Sequence, residues 1–426
     1  MKRVGVVCGL WLVLLPASPL ALGAAPPHDG TAVMDRQADA AGGGLADDWS
    51  LYAVVTRGGR RVGFESYATN LVPEAGEEGR SGAAWGYVRD PFAGTTTLVT
   101  RTGPGTGDEP ADGGVADITP DGRFALVNLE LPGADDTQAF VRNLETGATE
   151  LVSRGSGPSG PPAAEDAFGQ SISNDGRRIL FGTAARNVRP GDPSYAALLI
   201  RDRRSDRTTV VTPRRPVGAR PLVTWRGGRL SGNGRYVTYA LSVRRDNRSY
   251  SKKNTIKMVV SDTGSGKIRT IAFWPAIEGQ NTDALEYGHP TISRTGRYVA
   301  YGGPTLRHGE RHPGVLRWDR RTGHSEVVSR GGDYFWSGLP AISDSGRFVA
   351  FTGYAAEPNV NVWLRDLRAD RTRLVSRPNG GGRGNLPSAY PDISADGRYV
   401  AFQSAATNLT PGVRGNVHIY LRHMAP

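Results

Sequence analysis

Cysteine is nearly absent from this sequence, since Cys8 is the only one among 426 residues. Cys8 lies in an apolar stretch that follows two basic residues and ends in small ones at 23–25, a pattern typical of a cleaved secretory signal. The alternative is a membrane anchor, but two prolines interrupt the stretch and it is short for a membrane span. We therefore expect residues 1–25 to be removed from a secreted protein that has no disulfide.

Long apolar runs and helical periodicity are missing from the rest of the chain. We therefore expect no membrane span after signal cleavage and no helical domain. Lysine is scarce as well: only five of the 52 basic residues are lysines, so arginine carries most of the net charge of +11. Such a charge can attract anionic glycans, wall polymers or nucleic acid. However, many arginines occupy one fixed position of a repeat, directly after a glycine, so we expect them to be structural and predict no nucleic-acid partner.

The sequence does contain a repeat, with seven copies that drift in sequence. The clearest copy is ISADGRYVAF at 393–402, and the others begin at Val55, Ile118, Ile172, Leu230, Ile292 and Ile342. The Ser-x-Asp-Gly part predicts a tight two-residue turn, and the alternating residues after it predict a strand. The first copy has Gly58 where most have Asp, and the fourth and fifth have Asn233 and Thr295, which we interpret as turn variation.

Two further strand patterns follow each turn. One resembles YLRD and the other resembles LVSR, so that one repeat supplies four short strands. The turn glycines are 50 to 63 residues apart. Four-stranded antiparallel units at this period predict an all-β fold, a seven-bladed β-propeller formed by residues 49–426.

The seventh copy stops after its third strand. TAVMDR at 31–36, inside the Gly- and Pro-rich linker 26–48, resembles the missing LVSR strand. We predict that it pairs as the outermost strand of the last blade and closes the ring, because closure covers an edge that would otherwise stay exposed. The alternative is a disordered leader with a three-stranded last blade.

The repeat resembles the TolB-type, WD40-like propeller repeat of bacterial envelope and secreted proteins. The resemblance rests on ISxDGRYVAF, on the SAATNL tail at 404–409, and on the YLRD and LVSR strands, and it covers nearly the whole mature chain. It implies the fold. It implies a binding platform only in general terms, since one fold hosts many functions.

Catalytic signatures are missing. The sequence has no G-x-S-x-G elbow, and SDTGSGK at 261–267 lacks the first glycine and the final Ser or Thr of a phosphate-binding loop, so we interpret it as the turn between the third and fourth strands of blade four. HGERH at 308–312 and the acidic pairs Asp135–Asp136 and Glu165–Asp166 are interpreted as polar loops. We predict no catalytic residue, no metal and no cofactor.

Function is predicted where the copies differ. The connections between blades, and those after the RYVAF strand, should emerge together on the face opposite the Asp-Gly turns, where binding usually occurs. Channel packing is the alternative role for Tyr287 and Tyr390, whereas Tyr334 and Trp336 are expected to be exposed. The residues that we predict to bind a ligand on this long-loop face are Trp225, Tyr287, His289, Tyr334, Trp336 and Tyr390.

The resulting hypothesis is a secreted, non-catalytic, monomeric scaffold that binds a protein or a cell-wall or extracellular glycan. The alternative is a secreted carbohydrate-active lyase or hydrolase with its site at the channel mouth. Carboxylates or histidines within hydrogen-bonding reach of one another at that mouth favour the enzyme.

Overall fold

A computed structural model describes most of the chain after residue 25. The described residues are 26–39, 43–73, 83–103, 108–130, 136–189, 196–213, 222–244, 255–275, 289–307, 310–332, 334, 336–354 and 360–424. Of residues 222–226, 244, 275, 307, 310 and 311 only the backbone is described. The signal segment and Tyr287 lie outside these ranges.

Seven four-stranded antiparallel sheets form the blades, which confirms the predicted seven-bladed β-propeller. Blade 1 comprises β2 (Ser50–Val55), β3 (Val62–Ser66), β4 (Trp85–Asp90) and β5 (Thr95–Leu98). Blade 2 comprises β6 (Gly113–Ile118), β7 (Phe124–Glu130), β8 (Thr137–Asn143) and β9 (Thr149–Leu151). Blade 3 comprises β10 (Ala167–Ile172), β11 (Arg178–Thr183), β12 (Ala197–Asp202) and β13 (Arg207–Val210). A 3-10 turn, Arg57–Gly59, lies between β2 and β3 of blade 1.

Blades 4 and 5 have the longest strands. They are β14 (Leu222–Leu230), β15 (Tyr236–Arg244), β16 (Thr255–Asp262) and β17 (Ile268–Pro275), then β18 (Thr291–Ile292), β19 (Tyr298–Arg307), β20 (Glu310–Asp319) and β21 (Ser325–Val327). Blade 6 comprises β22 (Trp336–Ile342), β23 (Phe348–Tyr354), β24 (Val360–Asp366) and β25 (Arg371–Leu374). Blade 7 comprises β26 (Ser388–Ile393), β27 (Tyr399–Ser404), β28 (His418–His423) and β1 (Thr31–Val33).

The hydrophobic core consists of seven clusters, one in each gap between neighbouring blades. The second and third strands are therefore covered on both faces. This explains why they are almost continuously apolar, as in VAF at 400–402, where all three side chains are buried. Since every blade shares its core with both neighbours, the packing is complete only when the ring is closed.

The N-terminal strand closes the ring, as predicted. β1 pairs antiparallel with β28, and Thr31 lies opposite Arg422. The strand ends at Val33 rather than Arg36, because the chain then turns to an isolated bridge between Arg36 and Leu45. Val33 packs into the gap between blades 6 and 7, and Met34 packs into the gap between blades 7 and 1.

A repeated arginine–threonine contact shows that β1 occupies its place in register. In four other blades an arginine of the third strand donates to a threonine seven residues later in the fourth strand; the pairs are Arg89–Thr96, Arg142–Thr149, Arg201–Thr208 and Arg365–Thr372. In blade 7 Arg422 makes this contact to Thr31 at 2.7 Å, across the N-terminal junction. The junction is also tied by a fully buried pair, Asp35 and His418, whose Oδ2 and Nδ1 atoms are 2.8 Å apart.

The Asp-Gly turns differ from the prediction in one respect. They are four-residue loops, not two-residue turns: in blade 3 the Ser173 N–H donates to the Arg178 carbonyl, and Gly176 N–H donates to Ser173. The glycine has positive φ, 69° at Gly176, whereas the aspartate before it is not among the positive-φ residues. The aspartate instead accepts hydrogen bonds from Ser173 Oγ and the Arg177 N–H. Asn233 can fill this role, which explains why the fourth copy tolerates it.

Two other turn predictions have different outcomes. SDTGSGK lies between β16 and β17 of blade 4, as predicted. HGERH at 308–312 was predicted to be a loop. That prediction is wrong for Glu310–His312, which belong to β20 and pair with β19 up to Arg307. His308 lies outside the described residues.

Candidate binding funnel

The innermost strands surround a central cavity of about 870 Å³, which we call the funnel. Six of these strands contain a bulge just before the Ile-Ser of the repeat. A bulge redirects side chains, and here it directs two tyrosines into the funnel. Tyr52 and Tyr390 occupy equivalent positions in blades 1 and 7, with φ of 54° and 53°. Positive φ is strained for a bulky residue, and since it recurs at the equivalent Leu339 of blade 6, with φ of 51°, it belongs to the bulge that places the two tyrosine rings in the funnel.

The two tyrosines form an aromatic wall at the junction of blades 7 and 1. Their rings meet edge to face with centroids 5.8 Å apart, and Tyr52 is 52% and Tyr390 is 44% exposed. Phe168 of blade 3 also lines the funnel and is exposed. Burial, with smaller contributions from Tyr390 and Glu65, raises the pKa of Tyr52, so its hydroxyl is protonated at neutral pH. The faces of these rings are flat and apolar, so that a ligand can stack on them.

Carboxylates line the remaining wall. Glu65, Asp112, Glu130 and Asp392 face the funnel together with two basic side chains, Arg229 and His289. Burial raises the pKa of Glu65. Burial also raises the pKa of Asp392, to about 6, against the opposing effects of the Val55 N–H and the charge of Arg229. The lining is thus richer in hydrogen-bond acceptors than in donors.

Two aspartates at one repeat position also join neighbouring blades. Asp392 accepts the Val55 N–H of blade 1 at 2.8 Å, and Asp117 accepts the Ile172 N–H and Ser171 Oγ of blade 3, each at 3.0 Å. Each aspartate directly precedes the Ile-Ser of its own copy. Burial raises the pKa of Asp117 as well. Their hydrogen bonds are therefore structural, and Asp392 alone of the two lines the funnel.

The funnel narrows at the face that carries the Asp-Gly turns. There the backbone N–H groups of Arg57, Asn174, Arg294 and Asp344 each donate to the carbonyl of the next blade around the axis. Across the axis Asn174 Nδ2 lies 3.5 Å from Asp344 Oδ2, which joins blade 3 to blade 6. A ligand therefore has access from the long-loop face.

Hydrogen bonds between connections stiffen the long-loop face in three blades. The asparagine of the SAATNL-type tail donates from its side chain to the loop that enters the same blade: Asn70 to Leu45, Asn187 to Pro162 and Asn408 to Arg383, at 2.7 to 2.9 Å. The motif that carried the family resemblance thus fixes the rim of the funnel in blades 1, 3 and 7.

The predicted ligand-binding residues do not all come together. His289 and Tyr390 line the funnel, and both are exposed. Tyr334 is not exposed as expected: it is only 6% exposed and packs against Phe351 and Trp363 at the edge of a second cavity of about 310 Å³. It is buried because it fills the gap between blades 5 and 6.

Trp336 is half-buried and lies against Tyr354, with ring centroids 3.8 Å apart. Trp225 lies in β14, but its side chain is not described, and Tyr287 lies outside the described residues.

The predicted ligand-binding residues do not include six others that line the funnel: Tyr52, Glu65, Asp112, Glu130, Arg229 and Asp392. The available signal was positional. Two or all three of the residues before each Ile-Ser line the channel, and comparing them across copies singles out Tyr52, Arg229 and Asp392. Glu65, Asp112 and Glu130 have no comparable signal, since nothing in a single strand pattern shows which end of a strand faces the axis.

The described residues contain no group of three or more His, Cys, Asp and Glu side chains that could hold a metal ion. No helix in the described part of the chain is long and apolar enough to cross a membrane.

Solved structures resemble this fold at low sequence identity. The propeller domain of the Trilobed protease from Pyrococcus furiosus, described as having an open velcro topology, matches with a TM-score of 0.56 at 13% identity over 90% of this chain and 97% of that chain. An oligogalacturonate lyase in complex with manganese gives 0.54 at 12% identity over 89% and 90%. TolB from Acinetobacter baumannii gives 0.40 at 12% identity over 71% and 64%.

No protein-family model matches the sequence, and no curated protein matches it significantly. At such identities the structural matches establish the propeller fold alone. The function is therefore argued from the funnel.

Proposed function

We propose that this protein is a secreted, non-catalytic scaffold that binds a protein or glycan partner through its long-loop face. An extended part of the partner enters the funnel. The observation that carries the proposal is the pair Tyr52 and Tyr390, held at positive φ and exposed in a cavity of about 870 Å³. Ligand pockets of several hundred cubic ångströms combine such aromatic walls with a few polar groups.

The polar lining defines the chemistry of the ligand. Glu65, Asp112 and Glu130 present acceptors on one side, beside the tyrosine wall. A matching ligand carries a flat apolar face and hydroxyl, amide or amine donors. Sugar rings and peptide segments both have these groups, and both can be clamped between aromatic side chains.

The test is a binding screen with the chain that begins at residue 26. A glycan array and a peptide library are probed with the wild-type protein and with Tyr52→Ala and Tyr390→Ala. Each substitution should weaken the binding of a selected ligand by about tenfold or more, as expected for an aromatic anchor. Phe273→Ala is the matched control, because Phe273 is an exposed aromatic residue on the outermost strand of blade 4.

Unchanged binding in both tyrosine variants contradicts the funnel as the site. Trp336→Ala is included because Trp336 was predicted as a binding residue. A loss with Trp336→Ala alone would place the site at the rim of blade 6.

A carbohydrate-active lyase or hydrolase is the second candidate, and Asp392 is the observation that favours it. A carboxyl with a pKa of about 6 in a cavity wall suits acid–base catalysis. Against this candidate, no two carboxyl groups among the described residues share a hydrogen bond, and Asp392 Oδ2 already accepts the Val55 N–H. Incubation with a panel of polysaccharides tests the candidate. The enzyme candidate requires that the wild-type protein forms product and that Asp392→Asn abolishes this activity.

A further inference from the structure

The arginine after each turn glycine has two different environments around the ring. In blades 3 to 6 it forms a paired contact with the aspartate that ends the third strand of its own blade. The Nη2–Oδ2 distances are 2.7 Å for Arg177–Asp202, 3.0 Å for Arg235–Asp262, 2.8 Å for Arg297–Asp319 and 2.5 Å for Arg347–Asp366. In each pair Nε also donates to the carboxylate. These arginines are structural, as the sequence predicted.

In the remaining three blades this arginine makes no paired contact with an aspartate at the end of the third strand. The third strand ends in His423 in blade 7 and in Asn143 in blade 2. In blade 1 Asp90 accepts the N–H groups of Phe92 and Ala93, as the aspartates of blades 3, 4 and 6 do in their own turns, but it forms no ion pair with Arg60. Consequently Arg60 of blade 1 and Arg398 of blade 7 are exposed and make no ion pair with any described residue. Arg123 of blade 2 has a single 3.6 Å contact with exposed Glu145.

These blades are consecutive, and their turns bring several arginines onto neighbouring parts of one face. The turn glycine of blade 1, Gly59, packs against the Tyr399 ring of blade 7, which places Arg60 next to Arg398. Arg61 extends toward blade 2 and donates to the Gly122 carbonyl, next to Arg123. Arg57 is exposed as well, and its N–H is bonded to Pro120 of blade 2. We call these five residues, Arg57, Arg60, Arg61, Arg123 and Arg398, the basic arc.

The opposing charges around the basic arc include Asp344 of blade 6, whose pKa burial raises although the charge of Arg57 acts to lower it. Asp121 and Asp396 lie in the turns of blades 2 and 7, where each accepts the hydroxyl and backbone N–H of its own turn. Gly58 replaces this aspartate in blade 1. His423 stacks on Tyr399 with ring centroids 4.6 Å apart and contacts His28 edge to face, but it adds little positive charge at neutral pH. The pKa of His423 is lowered by burial and by the neighbouring His28 and Arg398.

We propose that the basic arc binds an acidic segment of a partner protein. In four blades the same guanidinium position holds the carboxylate of an aspartate with two hydrogen bonds, so its fit to an aspartate side chain is seen within this molecule. In blades 7 and 2 that carboxylate is missing, and in blade 1 Asp90 forms no ion pair with Arg60, so an external aspartate or glutamate supplies the carboxylate. Guanidinium groups recognise carboxylates through such paired donors. The basic arc lies on the turn face, and therefore the inference does not depend on the funnel.

The experiment measures the binding of a fluorescent octa-aspartate peptide to the chain from residue 26, by anisotropy at several salt concentrations. Binding should weaken as salt rises, because the contacts are exposed. Arg60→Ser with Arg398→Ser should weaken it about five- to tenfold, the combined effect of two exposed charge pairs. Arg235→Ser is the matched control, because that arginine already holds Asp262, and it should leave binding unchanged.

A second pair of variants restores the internal partners and keeps every arginine. His423→Asp with Asn143→Asp installs the residue that blades 3 to 6 carry, and it should weaken octa-aspartate binding as much as removing the arginines does. Folding is checked by the thermal midpoint of each variant. The inference is overturned if octa-aspartate binds equally well to wild type and to both double variants. It is also overturned if the wild-type protein binds only polygalacturonate or anionic vesicles through the basic arc.

Discussion

At the scale of single residues, Asp392 and Asp202 show that equal side chains can affect stability with opposite sign. Burial in the funnel wall raises the pKa of Asp392 to about 6. Burial acts to raise the pKa of Asp202 too, but the hydrogen bonds from Arg177 and the Ser205 N–H, together with the charges of Arg177 and Arg178, outweigh it and lower this pKa to about 2. An unfolded chain titrates both near the ordinary value of 3.8. The direction of each shift therefore determines how folding depends on pH.

For Asp392 the folded protein binds a proton that the unfolded chain has released, between pH 4 and 6. Stability should fall as pH rises through this window. Asp392→Asn keeps an oxygen that can accept the Val55 N–H and removes the buried charge. We expect this variant to be more stable than wild type at pH 8, by about 1–3 kcal/mol, and less dependent on pH between 4 and 6. Urea unfolding at unit steps from pH 4 to 8 measures both effects.

Asp202→Asn is the control with the opposite sign. The lowered pKa contributes stability that is complete above pH 4 and is lost as pH falls toward 2. The variant should be less stable than wild type at neutral pH, and its stability should change less on acidification. If Asp392→Asn is destabilising at pH 8, the charge of Asp392 supports the fold and the assigned sign is wrong.

At the scale of elements, β1 is three residues long, yet it contributes to two blade gaps. Val33 and Met34 are almost completely buried, and Thr31 completes the arginine–threonine contact of blade 7. Deleting residues 26–36 removes these contacts and exposes the edge of β28. We expect the thermal midpoint to fall by roughly 5–10 °C, from the loss of several kilocalories of apolar burial, and self-association to increase.

A peptide of residues 26–38 added in trans distinguishes strand pairing from a general effect of truncation. It should restore part of the lost thermal stability, whereas a scrambled peptide of the same composition should not. No change in the midpoint on deletion would show that the ring holds without β1.

The repeat made the propeller and its closing strand predictable, because each blade requires the same order of four strands and similar turn residues. Tyr52 and Arg229 were not predictable by the same means. Their exposure to the funnel depends on bulges that change which side chains face the axis, and a bulge leaves no constant sequence pattern. Tyr334 was misjudged for a related reason, since an aromatic residue in a connection can pack between two blades as readily as it can face solvent.

At the scale of the whole molecule, the position of the chain ends within blade 7 is itself informative. Asp29 has φ of 52°, as do Asp206 and Asp370 to within a degree, and each of these residues lies two positions before the threonine of a fourth strand. Asp29 and Gly30 thus form the second half of a turn between third and fourth strands, and the His423 N–H donates to the Gly30 carbonyl. The junction between β28 and β1 therefore has the geometry of a turn between third and fourth strands, although its two strands are far apart in the sequence.

A circular permutant tests this equivalence. Residue 426 is joined to residue 26, and new ends are opened between Thr146 and Gly147, in the corresponding turn of blade 2. Because β9 then closes the ring as β1 does in the natural chain, its thermal midpoint should stay within a few degrees of wild type. A second permutant, opened between Pro158 and Ser159 in the connection from blade 2 to blade 3, has no strand shared across the junction and should unfold at a lower temperature. Equal midpoints in the two permutants would show that strand sharing contributes nothing to the ring beyond the packing of one blade on the next.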